Sequence, residues 1–187
     1  MSVTCDPSRY ERLWSDVQAA YAQSDIASTC LRLQEQHSRD VVLTLGAIWL
    51  GLDGISLDRH GGGAVRDALA VWRDDAILPL RHVRQAIKRH LTRSDDPVVA
   101  VDRPGLEALR DAVKQAELEA ERLALRALVP LAEKHGEKAD ASAETVAANL
   151  QVLATPAAGE ADGLAQIAAS FPVAEPKAAY KAAIEAL

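Results

Sequence analysis

Along most of the chain apolar residues recur at three- and four-residue spacing, the period of helices that bury one face. Asp6 followed by Pro7 reads as an N-cap and a first-turn proline, and Tyr10, Leu13, Trp14, Val17 and Tyr21 then form the inner stripe of a first helix. A second is expected from about Ser24, with Ile26, Cys30 and Leu33 inward. A third runs from Asp40 through Val41, Leu45, Ile48, Trp49 and Leu52. It is apolar nearly all round, which predicts a central position.

Asp53, Gly54 and the triplet Gly61, Gly62, Gly63 predict a flexible connection, with helix resuming at about Ala64. Val65, Leu69 and Trp72 share the inner face of that helix. Pro79 interrupts the pattern, and Leu80, Val83, Ile87 and Leu91 restart it, so a break or kink is expected there. Ser94, Asp95, Asp96 and Pro97 make the next loop. After Asp102 and Pro104 comes the longest helix, with Leu106, Leu109, Val113, Ala116, Ala120, Leu123 and Ala127 in one stripe and Leu118, Leu125 and Val129 in another. Two stripes predict packing on two sides. Unbroken to Lys134 it would span about 45 Å at 1.5 Å per residue, with Pro130 bending its last turns.

From Gly136 the chain is richer in Ala, Pro and Gly. Amphipathic pieces around Val146, Leu150 and Leu153, then Leu164 and Ile167, then Tyr180 and Ile184 predict short helices, less firmly held. No fixed-period repeat argues for a solenoid. The expected fold is all-α: a compact multi-helix bundle of about seven to nine helices with one long central helix. Residues 1–135 would form the helical core and 136–187 an alanine-rich helical extension of the same domain.

Composition agrees: aromatics are only 4% of the 187 residues, and Ala, Leu, Glu and Arg are common. A net charge of -6 argues against wholesale attraction to nucleic acid or an anionic membrane, though it permits a local basic patch. Met1 to Trp14 is too charged for a signal peptide, and the longest strongly apolar run, Val41 to Leu52, is too short for a bilayer span of about 20 residues. Cys5 and Cys30 are too few and too far apart for a disulfide framework. A cytoplasmic protein without membrane contact is expected.

No catalytic or cofactor-binding constellation assembles. His60-Gly61-Gly62-Gly63 has the form of an esterase oxyanion loop, but no G-x-S-x-G elbow accompanies it, and a plain glycine loop is the expectation. No G-x-x-x-x-G-K-[ST] phosphate loop occurs. His37, His60, His82, His90 and His135 form no zinc or di-iron pair, so no metal is expected. Cys30 and His37 stand two turns apart on one helical face, roughly 10 Å, too far for direct proton transfer. Glu117 and Glu121, one turn apart, have the spacing of a cation-binding acidic pair. Surface pairs of Lys114 with Glu117 and of Glu119 with Arg122 account for them more simply.

The segment Arg81 to Arg93 is different. It holds Arg81, Arg84, Lys88, Arg89 and Arg93, two histidines and no acid. Arg81, Arg84 and Lys88 fall on one helical face, which either grips an acidic partner or phosphate, or pairs internally with acids such as Glu117 and Glu121.

Several of these pieces together resemble a proteobacterial conserved hypothetical family, the domain of unknown function 2390. They are Leu13-Trp14 and Tyr21, Cys30-Leu31-Arg32-Leu33-Gln34, Asp40-Val41 leading to Trp49, and Trp72. Pro79-Leu80-Arg81 with Arg84 and Lys88, and Glu117-Leu118-Glu119-Ala120-Glu121-Arg122, complete the set. The likeness covers about the first two-thirds of the chain. Ser24-Asp25 stands where the family favours a proline-glycine turn, and Val42 where it favours asparagine, so no role of that asparagine carries over. The resemblance implies that Gln34, Arg81, Arg84 and Glu121 are not incidental surface residues.

The expected function is non-enzymatic binding of an acidic protein partner, or self-association, with Arg81, Arg84, Lys88, Gln34, Glu117 and Glu121 as the candidate binding residues. No cofactor is expected. A helical enzyme or carrier for a phosphorylated or isoprenoid-like ligand is the alternative, with Arg81 and Arg84 on phosphate and Glu117 and Glu121 on a cation. Nucleic-acid or ribonucleoprotein binding ranks last, because no aromatic residue interleaves the basic segment.

Overall fold

A computed structural model describes residues 7–37, 39–93, 95–157 and 159–187. Cys5, Asp6 and Ser94 lie outside the described residues. In order these form α1 (Pro7–Tyr21), α2 (Ile26–His37), α3 (Val41–Leu52), β1 (Ile55–Ser56), α4 (Arg59–Trp72) and a π-helical turn (Arg73–Ile77). There follow α5 (Leu78–Leu91), α6 (Pro97–His135), β2 (Glu137–Lys138), α7 (Ala143–Leu153), α8 (Ala161–Ala168) and α9 (Lys177–Glu185). The protein is all-α, apart from the two-residue strands β1 and β2, which pair antiparallel and which the apolar pattern does not foretell. Residues up to Asp67 with Leu125–Leu187 make one compact unit, and Ala68–Ala124 make a second.

The first unit is organised around α3, as its unbroken apolar character predicts: every residue from Val42 to Gly51 is buried. Asp40 caps it by accepting the Leu43 N–H at 3.1 Å. At Gly51 a Cβ would stand 2.6 Å from the Val146 Cα, so glycine there lets α3 and α7 cross at backbone contact. Tyr10, Leu13 and Val17 of α1 and Ile26, Cys30 and Leu33 of α2 are buried as expected. The three C-terminal helices are held more firmly than their alanine content suggests. Val146, Leu150, Leu164, Ile167 and Tyr180 are completely buried, because small alanines let these larger side chains reach the centre.

The glycine triplet is not a loop. Helix α4 begins at Arg59, and the Asp58 carboxylate accepts the Gly61 N–H at 2.6 Å, as an N-cap does. A Cβ on Gly61 would collide with the His135 carbonyl, and one on Gly62 would sit 2.7 Å from the Val152 Cβ. Close packing at the start of a helix therefore explains the first two glycines.

In the second unit Pro79 produces no break. The π-helical turn precedes it, with the Leu78 N–H reaching back five residues to the Arg73 carbonyl, and proline enters in the first turn of α5 where no donor is required. Within α6 the non-helical position is Asp102 (φ -153°, ψ 74°), which accepts the Gly105 N–H at 2.9 Å. Helix continues through Pro130 to His135. The two-stripe expectation for this helix holds only in part. Ala120 is buried, but Leu109, Leu118 and Leu123 are exposed, as is Val83 on α5.

Candidate functional site

Helix α5 and the part of α6 up to Ala124 belong to the same unit, and their facing side chains form a cluster of ion pairs. Arg81 Nε donates to Glu117 Oε1 at 2.9 Å, and its Nη2 donates to Glu121 Oε1 at 2.7 Å. Arg84 donates to both Glu117 oxygens. The Glu117 side chain is only 6% exposed, against 13% for Arg81 and 19% for Arg84. The charges that sequence alone leaves open between a partner and internal acids are thus internally matched. Four of the six candidate residues, Arg81, Arg84, Glu117 and Glu121, come together in one cluster.

Burial would push Glu117 up, but the hydrogen bonds from Arg84 and Arg81 outweigh it and hold its carboxyl below the ordinary glutamate range. The pairing of Glu117 with Lys114 that helical spacing suggests is replaced by these two arginines, because Glu117 faces α5 rather than solvent. Glu119 and Arg122 do meet, at 3.3 Å on the surface.

Lys88, one turn beyond Arg84, is exposed, as is Arg89 beside it. Among the described residues neither takes part in an ion pair. Gln34 belongs to the first unit, where it is half-buried on α2. Ten basic and ten acidic residues cancel within 68–124, so the net charge of -6 comes entirely from the rest of the chain.

The turn joining α5 to α6 is fastened by His90 and the buried Asp96, whose side chains hydrogen-bond. Asp96 Oδ1 also accepts the Val98 and Val99 N–H groups at 3.0 and 3.3 Å, capping the next helix. The hydrogen bond from His90, aided by those amides, lowers the Asp96 pKa. Sequence reasoning treats His90 as one basic residue among others, and the six-residue spacing to an acid at a helix start is the signal that marks this staple.

Among the described residues no three or more His, Cys, Asp or Glu side chains gather into a group able to hold a metal ion. Nor is any of the helices there long and apolar enough to cross a membrane.

A family described as protein of unknown function (DUF2390) matches residues 12–128. No curated protein matches the chain. No solved structure matches it.

Proposed function

Since the chain belongs to the DUF2390 family of unknown function, we propose from its own residues that it is a non-enzymatic binding protein whose α5 surface receives an acidic protein. What supports this reading is the pair Lys88 and Arg89: exposed, outside any ion pair among the described residues, and set in a segment, Arg81 to Arg93, that contains no acid. His82 and Val83, also exposed on α5, extend that surface with a polar ring and an apolar group. An acidic partner regains at this edge the Coulomb attraction that the rest of this acidic chain withholds, with its register set by the cationic edge. Arg81 and Arg84 serve the site indirectly, by holding α5 on α6. Their pairing with Glu117 and Glu121 also occupies the groups that a phosphate-and-cation site requires, so that alternative is set aside.

The test is capture of partners by tagged protein from nuclease-treated cell lysate, followed by binding of the purified partner to wild type and to Lys88→Glu/Arg89→Glu. The reading expects one acidic protein, bound at least tenfold more weakly by the double variant while helicity and melting temperature stay unchanged. Equal binding by the variant, or a partner lost on nuclease treatment, refutes it.

A further inference from the structure

We infer that the first unit carries a site for a free α-amino acid, in a cavity of about 240 Å³ where the turn from α1 to α2 meets the end of α8 and the start of α9. This site is independent of the α5 surface. At roughly 30 Å³ per water such a space holds about eight waters, which is room for a solute of amino-acid size and too little for a nucleotide.

The charges of the lining select the ligand. Asp25 and Lys177 both border the cavity, yet they form no ion pair with each other. Asp25 is exposed, and among the described residues it takes part in no ion pair at all. Lys177 donates to Asp162 at 2.9 Å, but Lys181 lies 3.9 Å from the same side chain. Two ammonium groups thus share one carboxylate, and positive charge is left over. A ligand of a single charge would satisfy only one side of the cavity. An ammonium turned to Asp25 and a carboxylate turned to Lys177 satisfy both, and an α-amino acid carries the two within the few atoms that a cavity of this size admits.

Two side-chain amides repeat the same polarity. Gln23 donates through Nε2 to the Ser170 carbonyl at 2.6 Å, which leaves its Oε1 over. Gln166 accepts at Oε1 from the hydroxyl of the buried Thr29 at 3.3 Å, which leaves its Nε2 over. Both residues border the cavity, and among the described residues neither remaining end has a hydrogen-bond partner. One anchored acceptor suits an ammonium and one anchored donor suits a carboxylate. Because each amide is already held at its other end, little freedom is lost when a ligand binds. Ile26, almost wholly buried, and Ala169 supply apolar surface for the ligand's carbon atoms.

The test is the melting temperature of the full chain with each standard L-α-amino acid at about 10 mM, alongside acetate and ethylamine, which carry the two charges singly. A ligand that binds only the folded chain stabilises it, so at least one amino acid should raise the melting temperature while neither single-charge probe does. Calorimetric titration with that amino acid should be saturable. Asp25→Asn and Lys177→Gln should each weaken its binding about tenfold or more. Circular dichroism and the ligand-free melting temperature should stay those of wild type, since both side chains reach solvent. No shift with any amino acid, a shift with acetate or ethylamine equal to that of the best amino acid, or unchanged binding in either variant would each overturn the inference.

Discussion

Arg81 and Glu117, thirty-six residues apart, meet at 2.9 Å with their side chains almost wholly withdrawn from water, and Arg84 holds the other side of the same carboxylate. Removing one member of such a cluster leaves the opposite charge buried and unmatched, which costs more than the intact cluster contributes. Glu117→Ala should therefore lose about 3 kcal/mol of unfolding free energy. The combined replacement Arg81→Met/Arg84→Met/Glu117→Leu should recover most of that loss. Chemical denaturation of the three proteins checks the contrast.

The same carboxylate gives stability a definite pH dependence. Its pKa is lower in the folded chain than the ordinary 4.5, so its contribution is complete above about that pH and is lost as acid protonates the folded form. Asp96 acts in the same direction through its bond with His90. Unfolding free energy measured from pH 7 downward should fall below about pH 4.5, and Glu117→Gln should flatten part of that slope. A slope unchanged in Glu117→Gln would show that the cluster is not its source.

Apolar spacing alone locates α1, α2 and α3 and most of their inward residues, although Tyr21 at the end of α1 is exposed; the partner of α3 is not legible, because α3 crosses α7, which is distant in sequence. The spacing misleads along α6, where the same regularity at Leu109 and Leu123 lines an exposed face, since spacing records that a surface is apolar and not what covers it. The Arg81–Glu117 contact is legible only as one of two options. Both partners lie on helices, and the sequence does not say which helix faces which. His90 with Asp96 is passed over because the turn between α5 and α6 that brings the two side chains together is not written in their six-residue spacing.

The glycine triplet separates close packing from chain flexibility. Gly62 has the Val152 side chain where a Cβ would go, and Gly61 has the His135 carbonyl, whereas Gly63 has open space and lies within a helix. Gly63→Ala should add up to about 1 kcal/mol through helix propensity alone. Gly61→Ala and Gly62→Ala should each cost about 1–3 kcal/mol from overpacking, with Gly61 the worse because backbone cannot step aside. If all three substitutions behave alike in thermal melts, the segment is the flexible loop that its letters suggest.

Asn149 is the residue that joins α7 to β1. Fully buried, it accepts the Leu57 N–H at 2.9 Å and donates from its amide to the Ile55 carbonyl at 2.7 Å. Asn149→Ala would strand both backbone groups and should cost about 3 kcal/mol. Asn149→Asp is the sharper experiment, because the ionised carboxylate keeps the bond from Leu57 but turns a negative oxygen toward the Ile55 carbonyl. Burial and that repulsion raise the new carboxyl's pKa in the folded chain above its unfolded value. This variant should therefore gain stability relative to wild type as pH falls from 7 toward 5, when the protonated acid can donate to Ile55 as the amide did. The sign is opposite to that expected from Glu117, so urea denaturation at pH 7 and pH 5 distinguishes an asparagine chosen for its donor from one that merely fills space.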